Sequence, residues 1–166
     1  MNDTLSDAIR EAYASAPAGV VVYHTLEIKQ DGVQDSIYLV QGRQPIEASD
    51  EEGYVRTFSP SSFQFTLPPS DGEGLQALTV TIDNVNRAAS DFLKAAMESQ
   101  VVVELVYRPY LSTDLTNAAM SPPLRLTLKD ASISTTQVVG RATFMDLVNR
   151  KFPSELYTRA RFPTIG

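Results

Sequence analysis

Between residues 75 and 107 the hydrophobic period of the chain changes twice. Leu78, Val80 and Ile82 alternate with Thr79, Thr81 and Asp83, the period-2 pattern of a strand with one buried face. Then, at 100° per residue, Val85, Ala89, Phe92 and Ala96 fall on one side, with Leu93 and Met97 at its edge. Arg87, Asp91, Lys94 and Glu98 occupy a narrow arc opposite, which predicts a helix with one wet face over about 85–98. Its charges stand three or four apart, so opposite signs are neighbours. Asp83 or Asn84 can cap the helix by accepting a hydrogen bond from its first free N–H groups. Val101, Val102, Val103, Leu105 and Val106 follow as a β-branched run suited to a central strand. One helix laid on a β-layer is therefore the expected scaffold.

The same patterns place the other elements. Residues 4–15 read as a short helix ended by Pro17, with Leu5, Ile9 and Tyr13 on one face. It can pack on the body or, as an arm, on a neighbour. Residues 19–29 read as a long strand, with Val20, Val22, Leu26 and Ile28 on one side and Val21, Tyr23, Thr25, Glu27 and Lys29 on the other. Asp31-Gly32 is a turn dipeptide, and residues 36–40 return as the hairpin partner. Residues 42–53 are a polar connection ending in the acidic run Asp50-Glu51-Glu52, expected to be solvated. That run lacks the ligand spacing of a calcium loop. Residues 54–58 form a short strand, Ser59-Pro60-Ser61 a turn, and Phe63, Phe65 and Leu67 mark another strand that residues 68–72 end. Residues 108–123 read as a long connection without period, and loops of that length are commonly functional or ordered by a partner. Leu124, Leu126 and Leu128 start a hairpin that returns over residues 138–144, where Gly140 suggests a bulge. Residues 145–150 read as a helical turn. The sum is a β-rich (α+β) fold: a β-sandwich or split barrel of about eight strands with one main helix.

Composition narrows the chemistry. With 166 residues and 43% hydrophobic content, one domain with a sizeable core is expected. There is no cysteine, which removes disulfides, thiolate metal sites and cysteine nucleophiles. No run approaches the length of a membrane span, and the first residues lack the basic start and apolar core of a signal peptide. A net charge of −6 argues against a general nucleic-acid binder. His24 is the single histidine and lies on an apolar stripe, where a hydrogen-bonded core residue is the expected role. A metal site needs several converging ligands, so none is expected, and no cofactor either. Nucleophile elbows, phosphate loops and zinc-binding helices are all absent from the sequence, and no enzyme is expected.

The charge is unevenly placed. Arg150, Lys151, Arg159 and Arg161 against Glu155 alone set residues 150–166 at +3, so the other 149 residues carry −9. This segment also holds Phe152, Leu156, Tyr157, Phe162 and Ile165, and Phe-Pro occurs twice, at Phe152-Pro153 and Phe162-Pro163. Aromatic and arginine side chains are enriched at protein–protein hot spots. The chain thus divides into a β-rich body, residues 1–149, and a basic aromatic arm, residues 150–166. The arm can cover its own core or lie on an adjacent subunit, and the charge segregation favours the second. The expected partner contacts are Phe152, Pro153, Tyr157, Arg159, Arg161 and Phe162, followed by Tyr110 and Leu111 in the long connection.

With its Leu78-Thr-Val-Thr-Ile-Asp-Asn84 strand, following helix and Val-rich strand, the chain resembles the small tail-tip proteins of long-tailed, non-contractile bacteriophages. It is similar to the N-terminal part of minor tail protein L of lambda-like phages. The closing segment from Phe144 to Pro163 looks like the end of a shorter family of phage proteins with an uncharacterised domain label. The resemblance implies a tail-tube-like fold in a ring, trimeric by preference, made in the host cytoplasm and carried at the virion tail tip. Such a ring joins the tail tube or distal tail protein to the central hub protein, without specific nucleic-acid recognition or membrane contact. The cysteine-rich part that holds an iron–sulfur cluster in protein L has no counterpart here. The alternatives are a hexameric distal-tail or tube-end protein and, in another class, a monomeric ligand-binding β-domain. The lack of tryptophan disfavours a sugar-binding version of the latter.

Overall fold

A computed structural model describes residues 14, 18–33, 35–66, 78–83 and 87–144. The eight strands are β1 (Val22–Gln30), β2 (Ile37–Gln41), β3 (Ile46–Ser49), β4 (Val55–Thr66), β5 (Leu78–Asp83), β6 (Val103–Leu111), β7 (Leu124–Ile133) and β8 (Gln137–Phe144). The helix α1 (Arg87–Glu98) lies between β5 and β6. Neighbouring strands follow the order β2-β1-β6-β7-β8-β5-β4-β3, and a further pairing of β2 with β4 closes seven of them into a barrel. The closing pair is parallel, with Leu39, Val40 and Gln41 opposite Ser59, Pro60 and Ser61. The eighth strand, β3, pairs antiparallel with the first residues of β4 and stands outside the closed ring. Of the expected β-rich fold, a β-sandwich or split barrel of about eight strands with one main helix, the described residues form a closed seven-strand barrel with one strand outside it and one main helix.

Alternation fills the interior. In β5 Leu78, Val80 and Ile82 are buried while Thr79, Thr81 and Asp83 are half-exposed. They meet Leu26, Ile28, Leu105, Tyr107, Leu126 and Ala142 in one core. The helix supplies Ala89, Leu93 and Ala96 to that core, so its buried face centres on Leu93 rather than on Phe92. It bridges the end of β5 to the start of β6, and Gln30 at the end of β1 donates to the Ser99 hydroxyl at 2.7 Å. The helix therefore covers one mouth of the barrel.

Several local expectations are corrected. Ser59-Pro60-Ser61 is no turn: β4 runs unbroken through it, because the chain changes partner there from β3 to β2 and β5. The polar connection 42–53 contains β3. The strand after the helix starts at Val103, leaving Val101 and Val102 exposed, and continues past Tyr107 to Leu111. Pro109 is tolerated because its side of β6 is no longer held by β7, and its carbonyl accepts from Ala119 N–H at 2.7 Å. The bulge expected at Gly140 lies opposite, in β7, where the register slips between Leu128 and Asp130. A Cβ on Gly140 would come within 2.8 Å of the Asp130 carbonyl oxygen, so glycine is required by that close approach. The helix expected over 4–15, the Asn84 cap, the turn at 68–72 and the turn at 145–150 lie outside the described residues, apart from Ala14, which is helical.

Candidate functional site

Strand β1 is buried on both sides: Thr25 and Glu27, on the side opposite Leu26 and Ile28, are buried as well. The cause is a second, smaller core outside the barrel wall. Val40, Ala48, Phe58 and Tyr110 are its buried members, flanked by Tyr23, Tyr38, Ile46, Leu115 and Ala118. They come from β1, β2, β3, β4, β6 and the loop over residues 112–123. The β3–β4 ribbon and that loop thus form a cover over β2, β1 and β6. The loop is ordered by its own chain: Ser112 N–H donates to Val21 O and Ser49 N–H to Leu115 O, both at 2.8 Å.

Within this cover lies a cluster of buried and half-buried charges. Arg108 is only 3% exposed by side chain. It donates through Nη1 to Glu27 at 2.7 Å, and through Nε and Nη2 to the two oxygens of Glu51 at 2.5 and 2.7 Å. Burial alone would lower the Arg108 pKa, but the hydrogen bonds and charges of Glu51 and Glu27 raise it well above the ordinary value. The same fork holds the Glu51 carboxyl below its usual range. The acidic run is therefore not simply solvated: Glu51 is clamped to β6. Asp50 accepts from the N–H groups of Glu52 and Tyr54 and from Arg56 Nε at 2.9 Å. Burial would raise Asp50, but Arg56 and those N–H groups win and lower it.

Arg56 then carries two rings. Its guanidinium carbon stands 5.5 Å from the Tyr38 ring centre and 5.3 Å from that of Tyr54, within cation–π range. Tyr54 and its neighbour Val55 are nevertheless 59% and 65% exposed. A cleft of about 220 Å³ opens beside Asp50 and Glu51, bounded across by Asn117, Ala118 and Met120.

His24 is accounted for inside the barrel. Its Nδ1 shares a hydrogen bond of 2.6 Å with the Tyr107 hydroxyl, and the two rings stack at 6.0 Å. Burial lowers its pKa, which favours the neutral ring. Among the described residues no three histidine or carboxylate side chains gather as metal ligands.

Of the residues expected at a partner contact, Phe152, Pro153, Tyr157, Arg159, Arg161 and Phe162 lie outside the described residues. Tyr110 is 0% exposed and sits in β6, not in a loop. Its hydroxyl donates to Ser49 O at 2.7 Å and its burial pushes the phenol up to about 12. Tyr110 therefore holds the cover to the wall of its own chain. Leu111, half-buried, ends β6 opposite Val22. Arg108, Glu27, Glu51 and the Arg56 stack escaped sequence reasoning. Their one available signal was an arginine directly after the run from Val101 to Tyr107, which is apolar but for Glu104.

Residues 8–157 match the family described as a domain of unknown function (DUF1833). No curated protein matches the chain.

Proposed function

The chain belongs to the DUF1833 family, described as a domain of unknown function. On the division of charge along the chain, we propose that it is a structural protein of a phage tail tip. It forms a ring, a trimer by preference, that joins the tail tube or distal tail protein to the central hub. It acts in the virion by assembly and not by turnover. The observation that carries this reading is the charge division of the chain, −9 on residues 1–149 against +3 on the aromatic segment 150–166. A body and an arm of opposite sign are self-complementary between copies, and repeated head-to-tail contacts close into rings. A closed barrel supports the reading further, because it leaves few free strand edges for uncontrolled pairing. The Arg108 cluster fits a structural part as well: its guanidinium is divided between two carboxylates of its own chain.

The test is a cryo-EM reconstruction of assembled particles from the source. The expected result is this chain as a closed ring between tube and hub. Its absence from particles, with a purely monomeric protein in solution, would reject the reading and reopen a ligand-binding one.

A further inference from the structure

The seam between the β3–β4 ribbon and the barrel is thin. Among residues 42–58 only Ala48 and Phe58 are buried, whereas β6 is buried from Leu105 to Tyr110. The ribbon also hangs outside the closed ring. Among the described strands β3 pairs with β4 alone, and β4 joins the ring only from Ser59, where β2 replaces β3 beside it. Lifting residues 42–58 therefore breaks none of the pairings that close the seven strands. The charges divide along the same seam. Arg108 on β6 is paired with Glu27 on β1 at 2.7 Å, both on the wall. Arg56 is paired with Asp50 at 2.9 Å, both on the ribbon. Of the ion pairs among the described residues, only Glu51 with Arg108 crosses. Once the ribbon is lifted, Arg108 keeps Glu27 and Arg56 keeps Asp50, so no buried charge is stranded. Glu51, more exposed than Glu27, simply returns to water. The other ties across the seam are few. The Tyr110 hydroxyl donates to Ser49 O at 2.7 Å, Ser49 N–H donates to Leu115 O at 2.8 Å, and Arg56 and Phe58 lie against Tyr38 and Tyr110 rings. The loop that carries Leu115 is tied to the wall independently, at Val21 O and Pro109 O.

We propose that residues 42–58 are a hinged cover, latched by Glu51 on Arg108, that opens as one unit while the barrel stays closed. Segments with few buried apolar residues open at a lower free energy than the whole molecule unfolds. A two-stranded hairpin off its support is marginal in water, so the β3–β4 ladder melts as it lifts. Opening uncovers Val40, Tyr110 and the Arg108–Glu27 pair on the outer wall of β1, β2 and β6. The device stands whether or not the chain assembles into a ring.

The test is native-state amide exchange of the full-length chain, read by NMR at neutral pH across sub-denaturing urea. Two classes of amide are expected. Those of β3 and of Val55–Phe58 exchange faster and depend weakly on urea, because little surface is exposed when the cover opens. Those of β5 and β8 exchange only through global unfolding and depend on urea steeply. Glu51→Gln should speed exchange of the ribbon amides several-fold. It speeds the barrel amides too, since global unfolding also breaks the latch, so a second variant carries the distinction. Gly140→Ala strains the barrel alone, and should speed β5 and β8 several-fold while leaving the ribbon rates unchanged. Val138→Ala, in the main core, replaces it if Gly140→Ala does not fold. One urea slope for every strand, or equal acceleration of ribbon and barrel by the barrel variant, overturns the separate opening. Unchanged ribbon exchange in Glu51→Gln overturns the latch.

Discussion

Arg108 is buried with its fork divided between Glu27, which is buried, and Glu51, whose side chain is 36% exposed. Taking such charges out of water is costly, and the loss of one partner leaves the other uncompensated. Arg108→Met should therefore lower the unfolding free energy by about 3–5 kcal/mol in urea titrations. Adding Glu27→Leu should recover part of that loss, because the stranded carboxylate is removed with its partner. A double variant no better than the single one would mean that the cluster stabilises by shape alone. Acid acts on the same residues. The Glu51 pKa is held below its ordinary 4.5, first by the Arg108 hydrogen bonds. A carboxyl depressed on folding contributes stability that is complete above the unfolded pKa and drains away as pH falls through the folded one. The stability difference between the wild type and Glu51→Gln should accordingly be constant above about pH 4.5 and shrink below it. Urea midpoints measured down that range check the sign, and a difference that grows in acid contradicts it.

At the scale of single elements, three positions show where the fold is tight and where it is improvable. Gly140→Ala would place a Cβ 2.6 Å from Leu128 Cδ1 and 2.8 Å from the Asp130 carbonyl oxygen. A side-chain tip can swing aside, but the bulged backbone of β7 cannot, so a loss of about 1–3 kcal/mol is expected. Gln100 ends the helix region at φ 57°, a left-handed conformation that a side chain disfavours. Gln100→Gly should gain up to about 1 kcal/mol in thermal or urea unfolding. Ser90 faces the core on α1, and its buried hydroxyl has no hydrogen-bond partner among the described residues. Ser90→Ala should raise stability by about 1 kcal/mol, since an unsatisfied polar atom is removed without opening a large cavity. A destabilised Ser90→Ala would show that the hydroxyl is satisfied after all.

The whole molecule is built from distant pairings. Strand β1 lies beside β6, with Val22 opposite Leu111, and the barrel closes only when β2 meets β4. Closing such loops costs chain entropy before any contact repays it. Refolding from urea, followed by stopped-flow fluorescence, should therefore take milliseconds to seconds, as for other β-folds of non-local contact. Microsecond folding would conflict with the closed topology. The second core adds to this dependence, since Tyr110 reaches Ser49 and Arg108 reaches Glu51 only after the ribbon has folded over the wall.

Periodicity alone determined the main amphipathic helix, the alternating β5 strand, the β1–β2 and β7–β8 hairpins and a β-rich fold with about eight strands. These are legible because a helix stripe or a pleated strand must keep its own period whatever lies around it. The role of His24 was legible for the same reason: its place on an apolar stripe sent it inward, where Tyr107 meets it. What tertiary structure decided is everything that depends on a second layer. Thr25, Glu27 and Arg108 look like wet positions until the β3–β4 ribbon and the loop after β6 cover them. Ser59-Pro60-Ser61 looks like a turn until β2 arrives beside it. Tyr110 looks like a loop residue until its strand is followed past Pro109. Burial on both faces of a strand is set by which distant segment lands on it, and a local pattern of polar and apolar residues does not carry that choice.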